Sequence, residues 1–296
     1  MKKIVITICA ILLCTSMFAQ EKAQEQVQGT LPKESFLPKT GDMAIGFTLD
    51  PIAAFVGNMF NGSTDNKLEP LHGSGLDNSC VSIMMKYMLT DNFALKGNVG
   101  LIISVENNNE YVVDDVATAL DPLSLDKVLD SKHTSNYGGS ISFGAEYRVG
   151  KRKVQGIFGG GVLYSFQSQN TSYTYGNGIT DVNQAPSSAF AQYETYSTAI
   201  PQARIIEDYN ASGTHTVGLY GSVGVEWFVA PKISLGADVN LCLLYTMTPN
   251  IYSRYEGYNI FTGQVEERNK LISPMDSYFE FSIRNIGANL FISFYF

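Results

Sequence analysis

Residues 233–245 read ISLGADVNLCLLY. Ile233, Leu235, Ala237, Val239, Leu241, Leu243 and Tyr245 fall on one face of an extended chain, while Ser234, Gly236, Asp238 and Asn240 share the other. Alternation with period two is the mark of a strand whose two faces meet different surroundings. The same pattern recurs at 43–49, 81–89, 93–103, 139–149, 154–166, 217–229 and 286–296, which predicts eight strands. The faces opposite the apolar ones carry Ser, Gly, Asn, Gln and a few charges, not a solvated coat of Lys and Glu. A transmembrane barrel gives this pattern, with lipid outside and a polar lumen inside. A soluble sandwich gives the same alternation, so the connections must discriminate.

Those connections sort by length. Three are short: Thr90-Asp91-Asn92, Gly150 to Lys153, and Ala230-Pro231-Lys232. Four are long, at roughly 50–79, 104–137, 167–215 and 246–278. Short periplasmic turns and long extracellular loops are the habit of outer-membrane barrels. The predicted class is therefore all-β, an antiparallel up-and-down transmembrane barrel over residues 43–296, with eight strands, or ten if a hairpin lies within 167–215.

A repeat fixes the register near the short turns. Lys86-Tyr87, Glu146-Tyr147 and Glu226-Trp227 each precede one of them. Tyr87, Tyr147 and Trp227 then form an outward aromatic girdle near the periplasmic interface. By parity Lys86, Lys96 and Arg148 point inward with Glu146, Glu226 and Asp238, three charges of each sign in the periplasmic half. Unpaired charges there would be costly to desolvate, so the six are expected to pair, as a permanent plug or as a gate.

Residues 1–19 (MKKIVITICAILLCTSMFA) have a basic start and an apolar run too short to span a bilayer, and read as a cleaved export signal. Residues 20–42 are polar and read as a flexible periplasmic lead-in. Within them Leu37-Pro38-Lys39-Thr40-Gly41 matches a sortase motif, but it lacks the hydrophobic span and basic tail that sorting requires. Cys9 and Cys14 leave with the signal. Cys80 and Cys242 would face inward three strands apart, a chord of roughly 14 Å, too far for a disulfide.

The whole chain of 296 residues holds 20 Lys and Arg against 28 Asp and Glu, a net charge of −8. That acidity excludes a nucleic-acid partner, because no cationic footprint exists to neutralise phosphates. The histidines His72, His133 and His215 map to loops or the upper rim and show no His and Ser spacing of the deacylase barrels, so the chain reads as non-enzymatic. The loop carboxylates Asp114, Asp115, Asp121, Asp126 and Asp130 have no calcium-loop spacing, and no cofactor or metal is expected. Tyr173, Tyr175, Tyr193, Tyr196, Tyr252, Tyr255, Tyr258 and Phe261 crowd the upper loops, either as a binding surface for an extracellular ligand or as packing of a cap.

The C-terminus, Asn285-x-Gly287-x-x-Leu290-x-Ile292-x-Phe294-x-Phe296, looks like the β-signal that barrel-assembly machinery reads. Phe36-Leu37-Pro38-Lys39-x-Gly41-Asp42-x-Ala44-x-Gly46, with Pro51, Phe55, Gly57-Asn58 and Phe60-Asn61, resembles the outer membrane β-barrel family common in Bacteroidetes. In architecture the chain resembles the eight-stranded OmpA/OmpX-type barrels. The resemblance covers residues 36–296. It implies outer-membrane location and fold, and it supplies no activity; the expected form is a monomeric barrel in contact with outer-membrane lipids. Envelope structure or surface binding is the expected role. The alternatives are a narrow porin-like channel, a lipid-modifying barrel enzyme and a secretion-system assembly factor.

Overall fold

The computed structural model describes residues 36–48, 83–210 and 213–296. These form eleven strands, β1 (Met43–Thr48), β2 (Ile83–Thr90), β3 (Phe93–Val113), β4 (Lys127–Val149), β5 (Val154–Thr174), β6 (Ala203–Asn210), β7 (Thr214–Ala230), β8 (Ile233–Thr248), β9 (Ile251–Asn259), β10 (Gln264–Ser273) and β11 (Asp276–Tyr295). One short helix among the described residues, α1 (Asp115–Leu120), lies between β3 and β4.

Every pairing among these strands is antiparallel. Eight of them close a ring in the order β1-β2-β3-β4-β5-β7-β8-β11, with β11 returning to β1 through Ala44↔Tyr295 to Thr48↔Phe291. The other three, β6, β9 and β10, continue from the upper end of β5 as β5-β6-β9-β10. The eight expected strands are thus the closed ring, and the total among the described residues is eleven rather than eight or ten. The added strands fall in connections that read as loops. Their residues, such as Arg204-Ile205-Ile206-Glu207-Asp208 and Glu266-Glu267-Arg268-Asn269-Lys270, place polar side chains on both faces and erase the alternation.

The same effect hid the height of the ring strands. β3 and β4 pair without a break from Phe93↔Tyr147 to Val113↔Lys127, far beyond the expected ends at 103 and 139. Above Val105 the pairs are Asn107↔His133, Asn108↔Lys132 and Asn109↔Ser131, where pairing persists while apolar contrast does not. α1 is capped by Asp114, whose carboxylate accepts from the amides of Val116 and Ala117 and so satisfies two of the first-turn N–H groups.

Outward side chains of the ring are apolar and exposed: Phe93, Leu101 and Ile103 on β3, Ile141, Phe143 and Tyr147 on β4, Val154, Phe158 and Val162 on β5, Leu219, Val223 and Val225 on β7. Inward ones are buried near the short turns, as Ala94, Lys96, Glu146 and Arg148 are, and half-buried higher up, as Asn98, Ser140 and Ser142 are. An eight-stranded ring encloses just enough space for side chains to fill. Glycines make room for the large ones. A Cβ on Gly236 would collide with the ring of Phe291, so β8 must be bare where that ring crosses the lumen.

Residues 36–42 are not the flexible segment expected of them. Phe36 and Leu37 pack against Ala44, Met88, Ala94, Phe228 and Tyr295, the apolar cluster at the short-turn end of the lumen. Residues 1–35, which include the expected signal and the rest of the lead-in, lie outside the described residues, as do Pro51, Phe55, Gly57, Asn58, Phe60, Asn61, His72 and Cys80. Cys242 faces inward and is buried.

Candidate functional site: the luminal charge layer

All six charges assigned to the lumen are buried: Lys86, Lys96, Glu146, Arg148, Glu226 and Asp238. They stand on five strands of the ring, β2, β3, β4, β7 and β8, each close to a short turn. The pairing registers bring them to one depth, because Lys86 lies opposite Lys96 and Ala94 opposite Glu146. Two like charges side by side on β2 and β3 require anions from elsewhere on the ring.

Those anions are supplied. Lys86 Nζ donates to Glu146 Oε1 at 2.9 Å and reaches Glu226 Oε2 at 3.4 Å. Arg148 Nη2 bonds Glu226 Oε2 at 2.7 Å and Glu146 Oε1 at 3.1 Å. Lys96 Nζ sits 3.2 Å from Asp238 Oδ2 and 3.8 Å from Glu146 Oε2. The layer is a single network of zero net charge. Buried pairs of this kind contribute little net stability, yet losing one partner is expensive.

Two neutral donors that parity reasoning did not single out complete it. Ser234 Oγ and Tyr295 Oη both donate to Glu226 Oε1, and Arg148 also bonds the Tyr295 hydroxyl. Tyr295 was legible: it is one residue out of phase with the outward Phe294 and Phe296. Phe291, likewise inward, lies against Lys86 and Lys96, with the ammonium groups 5.0 and 5.6 Å from its centroid, within cation–π range. Below the layer lies the Met88–Phe228–Tyr295 cluster, and above it Met84, Ile157 and Phe291.

Tyr87, Tyr147 and Trp227 stand on the outer face near the short turns, half exposed. A second aromatic row stands above them. Tyr164, Val217, Tyr245 and Phe279 are successive partners across β5, β7, β8 and β11. On β4 the outward Tyr147 and Tyr137 are ten residues apart, which at ~3.3 Å per residue and a tilt of about 40° separates the rows by roughly 25 Å. Of the C-terminal pattern, Leu290, Phe294 and Phe296 point outward and Ile292 is half-buried. Asn285 and Gly287 fall where β11 shifts register against β8, between Arg284 and Asn289, and the surroundings of both lie outside the described set.

The upper residues are occupied by internal packing. Arg204 Nε bonds Glu256 Oε1 at 2.8 Å, Nη2 bonds the Asn177 carbonyl at 2.9 Å, and the guanidinium lies 4.0 Å over the Tyr175 ring. Tyr196 packs on Tyr255, beside Ile200 and Ala203. Burial pushes the Tyr175 and Tyr255 phenols above their ordinary range. Asp130 accepts from the amides of Gly176 and Ala189, and Asp115 from the Ser187 amide, so both fasten the 175–202 segment. His133 meets Asn107, and His215 Nδ1 lies 2.9 Å from the Tyr164 hydroxyl. Tyr209 and Tyr252 stack on each other.

No protein-family model matches the chain. No curated protein matches it either. Among solved structures, it is similar to a major outer membrane protein from Thermus thermophilus, at 10% identity and a TM-score of 0.34, over 86% of this chain and 98% of that one. It is also similar to the outer membrane protein OprG from Pseudomonas aeruginosa, at 11% identity and a TM-score of 0.31, over 88% of this chain and 98% of that one. The closed barrel itself rests on the strand pairing of this chain.

Proposed function

We propose that the protein is an integral outer-membrane barrel with a sealed lumen, non-enzymatic, which holds an extracellular sheet and its packed loops above the cell surface. The observation that carries this reading is the inversion of the ring: apolar side chains exposed all around it and a paired charge layer buried within it. In water that outer face would be a contiguous apolar patch far larger than monomeric soluble proteins tolerate. Its height of roughly 25 Å, with an aromatic row at each edge, suits the apolar band of an outer-membrane barrel. The family resemblance of residues 36–46 and the export signal expected at 1–19 support the same location.

Envelope structure or surface binding through the upper loops fits this reading better than transport, because the lumen is filled. Two measurements test it. Lipids brominated at graded depths should quench Trp227, the single tryptophan of the chain, most strongly when the bromines lie near the headgroups. A planar bilayer should show little steady conductance with the wild type. A wild-type channel open at low voltage would replace the sealed barrel by the porin-like reading, and quenching at no depth would remove the membrane altogether.

A further inference from the structure

The Leu37-Pro38-Lys39-Thr40-Gly41 stretch is idle as a sorting signal, yet it is built into the barrel. Each of the three short turns gives it, or a residue flanking it, a contact. At the β2–β3 turn, Asp91 Oδ1 accepts from both the amide and the hydroxyl of Thr40, each at 2.8 Å. At the β4–β5 turn, Lys153 Nζ lies 3.9 Å over the Phe36 ring. At the β7–β8 turn, the Lys232 amide donates to the Phe36 carbonyl at 3.4 Å, and its ammonium meets Asp42 at 3.2 Å. Lys232 holds φ 58, a backbone conformation that non-glycine residues seldom adopt.

The segment has its own local geometry as well. The Asp42 amide donates to the Lys39 carbonyl, the Lys39 amide donates to the Asp42 carboxylate, and Gly41 supplies the φ of 90° that this tight turn needs. Phe36 and Leu37 are thereby laid on Ala44, Met88, Ala94, Phe228 and Tyr295.

We infer that residues 36–42 are a lid over the short-turn mouth of the barrel, a second seal in series with the charge layer. The two seals differ in kind. The charge layer is buried, and exchanging its pairs means moving charges out of contact with solvent. The lid is held by polar contacts at the surface, Thr40–Asp91 and Asp42–Lys232, which water can replace at little cost. Its outer part, 36–40, can lift without breaking the strand ladder, which Gly41 and Asp42 join through backbone bonds to Met88 at 2.8 and 2.9 Å. This deepens the sealed-lumen reading and rests on it.

The test uses the exported protein with Cys80 and Cys242 replaced by serine and Ala94→Cys as reporter, since Ala94 is fully buried beneath the lid. A small water-soluble thiosulfonate should label the thiol at position 94 at least tenfold faster when Asp91→Ala, which removes the acceptor of both Thr40 bonds, and Asp42→Ala unlatch the lid. Phe36→Ala with Leu37→Ala, which keeps the latches, should do likewise. Folding of every variant is checked by resistance to unfolding in cold detergent on a gel. In a bilayer, the unlatched lid alone and Glu146→Ala with Glu226→Ala alone should give no steady current, and the four together should. Equal labelling rates with and without the latch overturn the lid, as does full conductance from the luminal pair with the lid latched. Failure of the sealed-lumen reading shows separately, as steady current through the wild type.

Discussion

Glu226→Ala should be the most damaging single change in the lumen. Its carboxylate accepts from Arg148 at 2.7 Å, Tyr295 at 2.9 Å, Ser234 at 2.5 Å and Lys86 at 3.4 Å, and the residue is fully buried. Removal leaves three cations facing Glu146 and Asp238. Breaking a buried pair by deleting one partner costs about 3–5 kcal/mol. Glu226 serves two cations, so the upper part of that range is expected. Asp238 meets Lys96 at the looser distance of 3.2 Å, and Asp238→Ala should fall at the lower end. The two-sided replacement Arg148→Met with Glu226→Leu removes one charge of each sign and restores neutrality. It should cost less than Glu226→Ala alone, because replacing both members of a buried pair by apolar groups is close to neutral. Equilibrium unfolding in urea, from detergent micelles, gives all three values. A loss below about 1 kcal/mol for Glu226→Ala, or a double replacement no better than additive, would refute the claim that the layer is one coupled network.

Three further outcomes rest on local geometry. Arg204→Ala removes the bonds to Glu256 and to the Asn177 carbonyl and the stack on Tyr175, so limited proteolysis should begin to cut within 175–202 while the barrel core stays intact. Gly236→Ala sets a methyl against the Phe291 ring and should lower refolding yield severalfold, and Phe291→Leu should recover part of it. The two Thr40 bonds hold the Asp91 carboxyl below its ordinary value of 3.8, chiefly through the amide and then the hydroxyl, with Lys39 adding a smaller pull. A depressed folded value means that the latch is fully present above the ordinary carboxylate range and is lost as the pH falls through the lowered one. An NMR titration should show Asp91 moving only part of the way up in Thr40→Ala, which removes the hydroxyl bond and keeps the amide one.

Alternation revealed the ring because lipid-facing and lumen-facing positions differ in kind along every strand. Parity then placed Lys86, Lys96, Glu146, Arg148, Glu226 and Asp238 on one side of the wall, and the registers bring them together. Three things stayed hidden. The upper halves of β3, β4 and β5 pair through polar residues on both faces, so Asn107 and His133 look like loop. β6, β9 and β10 are short and charged, and they reach the top of β5 only through β6, whose pairs lie 35–39 residues apart in sequence. The 36–42 segment reads as polar and flexible, because nothing local shows that Asp91, Lys153 and Lys232 await it. Composition measures what a residue prefers, and these contacts are set by where the barrel puts its turns.

The continuous β3–β4 ladder has a consequence for reach. Ten residues of β3 stand above Ile103, and at ~3.3 Å each they carry about 33 Å of strand away from the barrel wall. The ladder ends in a closed tip, Asp114 to Asp126, tied by the Asp114 amide to the Asp126 carbonyl. Val116, Leu120, Leu123 and Leu125 project from it, 68–91% exposed. The far end of the β3–β4 ladder therefore presents an acidic, leucine-studded turn, with the 175–202 segment bonded beside it through Asp115.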